Sequence, residues 1–439
     1  MVMGGGRESG GMAAQAGKLG VVASVAINLA ALAVYLRRRY SGDDVAGGRK
    51  REEEGEELAV APSSGKPPVT PDSVINLDHG DPTMYEQFWR GDAGERATIV
   101  IPGWQTMSYF SDVGNICWFL EAGFEREVRR LHRLVGNAVA EGYHVLVGTG
   151  STQLFQAALY ALSPPGAAAA GAPMSVVSPV PYYSSYPAVT DFLKSGLYRW
   201  AGDARTFDGE TYIELVCSPN NPDGGVREAV LKSGTGVAVH DLAYYWPQYT
   251  PITEAAAHDV MLFTASKCTG HAGTRLGWAL VKDRVVAQRM NKFIELNTIG
   301  VSKDSQLRAA KILKAISDGY DHAPAVGDRT RLFHFARRKM MARWGALRAA
   351  VASSGIFSLP DELPGYCTFA KETVAAYPPF AWLRCEKEEV YDLEGYLREC
   401  KIVSRGGAKF GADGRVVRIS MLDTDEAFAI FVDRIAAMK

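Results

Sequence analysis

Past residue 73 the chain keeps returning to short apolar runs, at 144–147, 175–177, 212–216, 237–239 and 261–263, and between them it reads as helix. Strand and helix in alternation are the pattern of a mainly parallel sheet covered by helices, so the expected fold class is α/β. Open sheets of this kind bind ligands just outside the carboxyl ends of their strands. Polar residues that directly follow one of these runs therefore carry more weight than polar residues elsewhere. Residues 285–316 read as one long helix and 329–351 as another. Short strands at 369–371, 380–384, 402–403 and 416–420 suggest a smaller α+β unit in the last third. The expected division is a large part at 115–320 and a small domain built from 74–114 and 321–439.

With 439 residues, 47% hydrophobic and 22% charged, the chain is long enough for one large core or two domains. A net charge of -1 argues against a nucleic-acid partner. The local basic run with Arg331, Arg337, Arg338, Lys339 and Arg343 is interleaved with Leu332, Phe333, Phe335 and Met340, which fits the wet face of an amphipathic helix better than a polyanion site. Six cysteines without a CxxC pair suggest neither a zinc site nor a disulfide module, so no metal is expected and a reducing compartment is.

Ahead of this, a tail at 1–18 leads into residues 19–36, an uncharged run closed by Arg37, Arg38 and Arg39. At about 1.5 Å per residue the run just crosses a thin bilayer such as that of the endoplasmic reticulum. The flanking arginines would keep the downstream chain on the cytoplasmic side, so a membrane anchor is the expectation. A cleaved signal peptide, with Ala31 and Ala33 in small-x-small spacing, and an organelle-targeting segment are the alternatives. Residues 37–73, rich in Gly, Pro, Ser and Glu, read as a disordered linker.

Five places after the strand runs carry chemistry. Thr264, Ser266 and Lys267 follow the run at 261–263, with Arg275 among glycines just beyond. A lysine that forms a Schiff base with a phosphorylated aldehyde needs an anion-binding partner nearby, and those hydroxyls with Arg275 could supply it. Ser151 and Thr152 open a helix behind a glycine turn, either as an anion cup or as an ordinary capped helix start. The glycines there do not complete a dinucleotide fingerprint. Asn221 lies in a Ser-Pro-Asn-Asn-Pro-Asp-Gly turn. Asp241, at the end of the 237–239 run, would be costly to bury unless it met a cation such as a protonated pyridine nitrogen, the alternative being a helix cap. Arg418 sits in an alternating strand, where it could grip a carboxylate through two parallel hydrogen bonds or simply form a surface ion pair.

The order Gly-Ser-Thr-Gln, Pro-Tyr-Tyr, Ser-Pro-Asn-Asn-Pro-Asp-Gly, His-Asp-x-Ala-Tyr-Tyr-Trp, Thr-x-Ser-Lys and Gly-x-Arg-x-Gly resembles the fold-type I pyridoxal-phosphate aminotransferases. More narrowly, Asn-Leu-Asp-His-Gly-Asp-Pro-Thr at 76–83, Met-Ser-Tyr-Phe-Ser-Asp at 107–112 and Ile-Gly-Val-Ser-Lys at 299–303 resemble the plant alliinase and tryptophan aminotransferase-related family. The resemblance implies pyridoxal 5'-phosphate held covalently by Lys267, the catalytic residue. Asp241 would meet the ring nitrogen, and Asn221 with Tyr244 the ring's phenolate oxygen. Ser151, Thr152, Thr264, Ser266 and Arg275 would hold the phosphate, and Tyr183 would stack on the ring. Tyr109 would reach the phosphate of a neighbouring subunit, which implies a homodimer. Arg418 would bind the substrate carboxylate, with Arg415 as its rival.

The family holds two chemistries, amino transfer and the elimination of a sulfur group from cysteine sulfoxides. Alliinases typically carry a cysteine-rich module ahead of the catalytic region, whereas this chain has a Glu-rich stretch and no cysteine before Cys117. The expectation is therefore transamination between L-tryptophan and a 2-oxo acid such as pyruvate, giving indole-3-pyruvate for auxin synthesis. An alliinase-like C-S lyase is the alternative.

Overall fold

The computed structural model describes residues 68–439, apart from 233, 323–329 and 363. The anchor segment at 19–36 and most of the linker lie outside the described residues. Among the described residues no helix is long and apolar enough to cross a membrane.

Seven strands form the central sheet. In chain order they are β1 (His144–Gly148), β2 (Met174–Ser178), β3 (Tyr198–Asp203), β4 (Tyr212–Cys217), β5 (Val237–Asp241), β6 (Val260–Thr264) and β7 (Gly277–Val281), arranged β1-β7-β6-β5-β4-β2-β3. All neighbours run parallel except β7, which is antiparallel to both β1 and β6. Every residue of β4, β6 and β7 is buried, because helices cover both faces of the sheet. Two of these strands, β3 and β7, are absent from the sequence reading. In β3, Trp200 sits among small and polar residues, which leaves no apolar run, whereas the apolar run Trp278 to Val281 of β7 is passed over in that reading.

The register brings the chemistry to one edge. Cys217 pairs with Asp241, and Asp241 with Leu262. Gly277, the first residue of β7, faces Gly148 on one side and Thr264 on the other. Since β7 runs the opposite way, its start lies beside the carboxyl ends of β1 and β6. The residues that follow β1, β4, β5 and β6 therefore share one rim.

Helix α1 (Ala122–Val135) packs beneath this sheet through His132. Asn137 donates through Nδ2 to Tyr245 O at 2.7 Å, which leaves its Oδ1 as the acceptor for His132 Nδ1–H at 2.9 Å. Trp278 Nε1 donates to His132 Nε2, also at 2.9 Å. Both ring nitrogens are thus committed in the neutral tautomer, and burial lowers the imidazole's pKa to about 4.

The 285–316 stretch is two helices, α3 (Arg284–Thr298) and α4 (Lys303–Asp318). Ile299 and Gly300 both hold positive φ, 54° and 107°, and Ser302 caps α4 by accepting from Ser305 N. A left-handed residue cannot continue a helix, so the chain turns there. Residues 369–371 form the turn of a hairpin between Gly365–Cys367 and Glu372–Val374, not a strand.

Helix α5 (Leu332–Ser354) corrects the expectation of a wet basic face. Arg343 is buried, donating to Met421 O at 2.6 Å, Asp423 O at 2.7 Å and Asp425 Oδ1 at 2.6 Å. Arg337 donates to Pro247 O and Ala375 O. Arg343 thus ties the helix to the end of the second sheet, whose strands are β8 (Phe357–Ser358), β9 (Phe380–Cys385), β10 (Arg405–Gly406) and β11 (Val416–Ser420), in the antiparallel order β10-β11-β9-β8. Helix α6 (Asp425–Ala437) closes the chain against α5.

His132, His240 and His271 are all held neutral by burial, with pKa values lowered to about 4, about 3 and about 4. Each binds a proton less readily folded than unfolded, so stability should fall as pH drops from about 6.5 towards 4, and urea melts across that range would show it. Replacing His132 by Leu leaves the Trp278 donor and the Asn137 acceptor without partners. It should cost about 2–4 kcal/mol and flatten part of that acid slope.

Candidate active site

The rim residues enclose a cavity of about 190 Å³ lined by Ser151, Thr152, Tyr183, Asn221, Asp241, Tyr244, Thr264, Ser266, Lys267 and Arg275. Ten of the positions singled out in the sequence therefore meet in one place.

At one end lies the turn between β1 and helix α2 (Gly150–Leu162). Gly150 has φ of +73°, and a Cβ there would sit 2.9 Å from Arg275 Nη2. Glycine lets the guanidinium lie across the first turn of α2, next to Ser151 and Thr152. Arg275 itself holds a left-handed φ of 51° and is steadied by donating to Ala272 O at 2.8 Å. A non-glycine residue held in that region marks a position that the surroundings over-determine. Thr264 is partly committed to local structure. Its hydroxyl accepts from Ser266 N at 3.2 Å and donates to Leu276 O at 3.3 Å, so it shapes the turn that presents Ser266 and Lys267.

Lys267 is largely enclosed, and Nζ donates to Gly80 O. Burial, then the charge of Arg418, lowers its pKa to about 7, and Arg275 adds to this against the opposing pull of Asp81. A Cβ on residue 80 would lie 2.7 Å from Nζ and 2.9 Å from the Phe380 ring, so only glycine lets this strand pass over the amine.

Asp241 closes the opposite end. It is half-buried and, among the described residues, has no cationic side chain bonded to it. Burial raises its pKa, moderated by the Tyr186 hydroxyl, which donates to Oδ2 at 3.0 Å, and by Ala243 N at 3.2 Å. Between the two ends, Asn221 Nδ2 donates to the Tyr244 hydroxyl at 3.1 Å. Tyr183 lines the cavity and meets Tyr186 edge-on, with centroids 5.3 Å apart.

Arg418 reaches the same network from β11. Nη1 donates to Asn221 Oδ1 at 3.0 Å, Nη2 donates to Asp78 O, and the guanidinium lies 4.1 Å from the centroid of the Phe380 ring. Burial and the neighbouring Arg405 lower its pKa to about 10, so it stays cationic at neutral pH. Its rival Arg415 donates to Cys385 O and Lys387 O instead. Two predicted site residues do not line the cavity: Arg418, which reaches it through Asn221, and Tyr109. Tyr109 is exposed, in a stretch that lies against residues 298–304.

Sequence reasoning missed Tyr186, Gly80, Asp78 and Arg405. Tyr186, three residues after Tyr183, opens a short helix (Tyr186–Phe192), with Tyr183 just ahead of it. That spacing was the available signal. A second His-rich cluster, Glu228 with His240 and His258, brings its ligand atoms within 4.8 Å of one another. Its imidazoles, however, stack 3.4 Å apart and nearly parallel, whereas two imidazoles on one ion diverge from it.

The donor set suits pyridoxal phosphate. It offers a near-neutral buried amine for the aldehyde, a cationic hydroxyl-rich end for the phosphate, and a half-buried carboxylate in want of a cation for the ring nitrogen. Asp241 and its tyrosine give the first test. Without the Tyr186 hydroxyl the carboxylate loses a charge-assisted bond, so Tyr186→Phe should weaken cofactor binding about tenfold in a titration followed by visible absorbance.

Comparison with known proteins gives a consistent answer. The Allinase family model matches residues 75–439. The chain is 83% identical to rice "Tryptophan aminotransferase-related protein 1", over 99% of this chain and 98% of that protein. It is 36% identical to garlic "Alliin lyase 1", over 80% of this chain and 72% of that protein. Among solved structures, an aminotransferase from Staphylococcus aureus superposes with a TM-score of 0.60 at 19% identity, over 87% of this chain and 98% of that one, which shows the shared fold.

Proposed function

This chain belongs to the alliinase family, on the fold of the pyridoxal-phosphate aminotransferases, and we propose that it transfers the amino group of L-tryptophan to a 2-oxo acid, pyruvate in the first instance, releasing indole-3-pyruvate. The observation that carries this reading is the buried Lys267 amine between two arginines, with a pKa of about 7. Such an amine can hold or release a proton at neutral pH, as amino transfer requires. The choice of tryptophan rests on the 83% identical relative and its printed name.

Pyridoxal phosphate, when bound, supplies a protonated ring that draws electrons away from the substrate Cα. Ser151, Thr152, Ser266 and Arg275 would hold its phosphate, Asp241 would stabilise the charge on its ring nitrogen, and Asn221 with Tyr244 would face its phenolate oxygen. Tyr183 would cover one face of the ring and keep water from it. Arg418 would grip the substrate carboxylate. Lys267 Nζ would then take the proton from Cα and later return one there in the reverse half of the cycle. Tyr109, exposed in this chain, would complete the phosphate site of a second copy in a homodimer. The apolar run at 19–36 would anchor the enzyme at the endoplasmic reticulum with the catalytic part facing the cytoplasm, where its product would feed auxin synthesis.

Purified protein loaded with cofactor should convert tryptophan and pyruvate to indole-3-pyruvate and alanine. Release of pyruvate from a cysteine sulfoxide, with no indole-3-pyruvate from tryptophan, would replace this reading with a lyase. Lys267→Ala should lower turnover by at least ~10³-fold, since both the covalent attachment and the proton carrier are lost. In the cofactor-free protein the lowered lysine pKa has its own signature. Between about 7 and 10.5 the unfolded chain holds the extra proton, so stability should rise with pH through that window, and Lys267→Met should remove the rise.

A further inference from the structure

Two arginines of the small sheet bond to residues at the cavity's edge, Arg418 to Asn221 and Arg405 to Ser184. Arg405 in β10 and Arg418 in β11 are directly paired across antiparallel strands, so their side chains leave the same face of the sheet from adjacent positions. Like charges in that arrangement repel, and Arg405 contributes to lowering the pKa of Arg418. The pair persists because one residue serves both. Asp78 accepts from Arg418 through its backbone carbonyl and takes Arg405 with its carboxylate, Oδ1 to Nε and Oδ2 to Nη2 at 3.2 Å. Arg405 Nη1 is also engaged, donating to Ser184 Oγ at 3.0 Å, beside the cavity residue Tyr183.

A substrate carboxylate on Arg418 would therefore find a second guanidinium next door that is already neutralised in a two-point grip. Free, Arg405 could take a second carboxylate bidentately, as a dicarboxylic 2-oxo acid or an acidic amino acid would require. Occupied, it offers no net positive charge to such a group, and the Asp78 carboxylate repels it. The contact is partly buried, with the two side chains 23% and 31% exposed, so water screens this repulsion only in part.

We propose that the Asp78–Arg405 ion pair sets the substrate class of this site, holding the second arginine shut so that the site accepts 2-oxo acids with one carboxylate and rejects those with two. The inference rests on the aminotransferase reading for its kinetic form, and on Arg418 as the carboxylate anchor for its binding form. Burial alone would push the Asp78 carboxyl up, but the Arg405 bonds and charge hold it below the usual carboxylate range, so the pair stays ionised at neutral pH.

Two measurements on the cofactor-loaded full chain decide it. In calorimetric titrations with unreactive acids, the unmodified protein should bind succinate no more tightly than propionate. Asp78→Asn keeps the shape and the backbone acceptor for Arg418 but frees Arg405, and should bind succinate about tenfold more tightly than the unmodified protein does. Its ratio of kcat/KM for 2-oxoglutarate over pyruvate, with tryptophan as donor, should rise by a similar factor. Adding Arg405→Gln to Asp78→Asn should abolish both gains. A tenfold succinate preference in the unmodified protein, an unchanged Asp78→Asn, or a gain that survives Arg405→Gln each overturns the proposal. Were Asp78→Asn to fail to fold, the succinate and propionate comparison on the unmodified protein would still decide against it or for it. If no acceptor is turned over while the succinate pattern holds, the aminotransferase reading falls and the ion-pair inference stands.

Discussion

The burial of one amine organises much of this molecule. Lys267 sits at the carboxyl end of β6 with two arginines acting on it and no carboxylate bonded to it, which holds the protonated form at a disadvantage. Keeping it there requires Gly80 to pass within contact of Nζ, Thr264 to shape the turn that presents it, and Phe380 to fill the space above. It also requires a sheet in which β7 runs against its neighbours, because only then does the start of β7 bring Gly277 beside both Gly148 and Thr264, and Arg275 just ahead of it onto the rim. The anionic groups that would relieve the lysine and Arg275 come from a ligand, so the site is built for an anion that the chain does not itself supply.

The same logic reaches the core. His132 binds α1 to Trp278 of β7 and, through Asn137, to the Tyr245 carbonyl just beyond Asp241. A neutral imidazole with both nitrogens committed fixes the distance between the helix layer and the two strands that deliver Asp241 and Arg275. On the other side of the site, Arg343 uses its charge on the carbonyls of Met421 and Asp423, just after β11, and so steadies the strand that carries Arg418. Charged groups that look like surface features in the sequence are here the pins between layers.

That difference explains what was legible in the sequence and what was not. The strands that lead to Asp241 and Lys267 were readable because central parallel strands are apolar throughout, and the positions that line the cavity were readable because they directly follow those runs. Strand β7 carries an apolar run, Trp278 to Val281, that the sequence reading passed over, and its antiparallel direction between β1 and β6 has no local signature. The break at Ile299 was hidden because a left-handed isoleucine has no sequence signature apart from the glycine after it. Arg343 looked wet because periodicity reports hydrophobicity and not which carbonyls a neighbouring loop leaves open. Asp78 and Arg405 act through a pairing 327 positions apart, which no local pattern can reveal.

The distribution of charge constrains how an anionic aromatic ligand can sit. The cavity is cationic where Arg275 meets Ser151 and Thr152 and again where Arg418 meets Asn221, and it is anionic only at Asp241. A ring bearing a phosphate at one end and a protonated nitrogen at another has one orientation that satisfies these poles, with the nitrogen on Asp241 and the phosphate on Arg275. Reversing it would set phosphate against a half-buried carboxylate and leave two guanidiniums without anions, which their partial shielding from water makes costly. On the proposed reading the amino acid's carboxylate is then left with Arg418 alone, since Arg405 is already held by Asp78. The polarity of one small cavity would thus fix both the pose of the ring and the number of carboxylates that its substrate can carry.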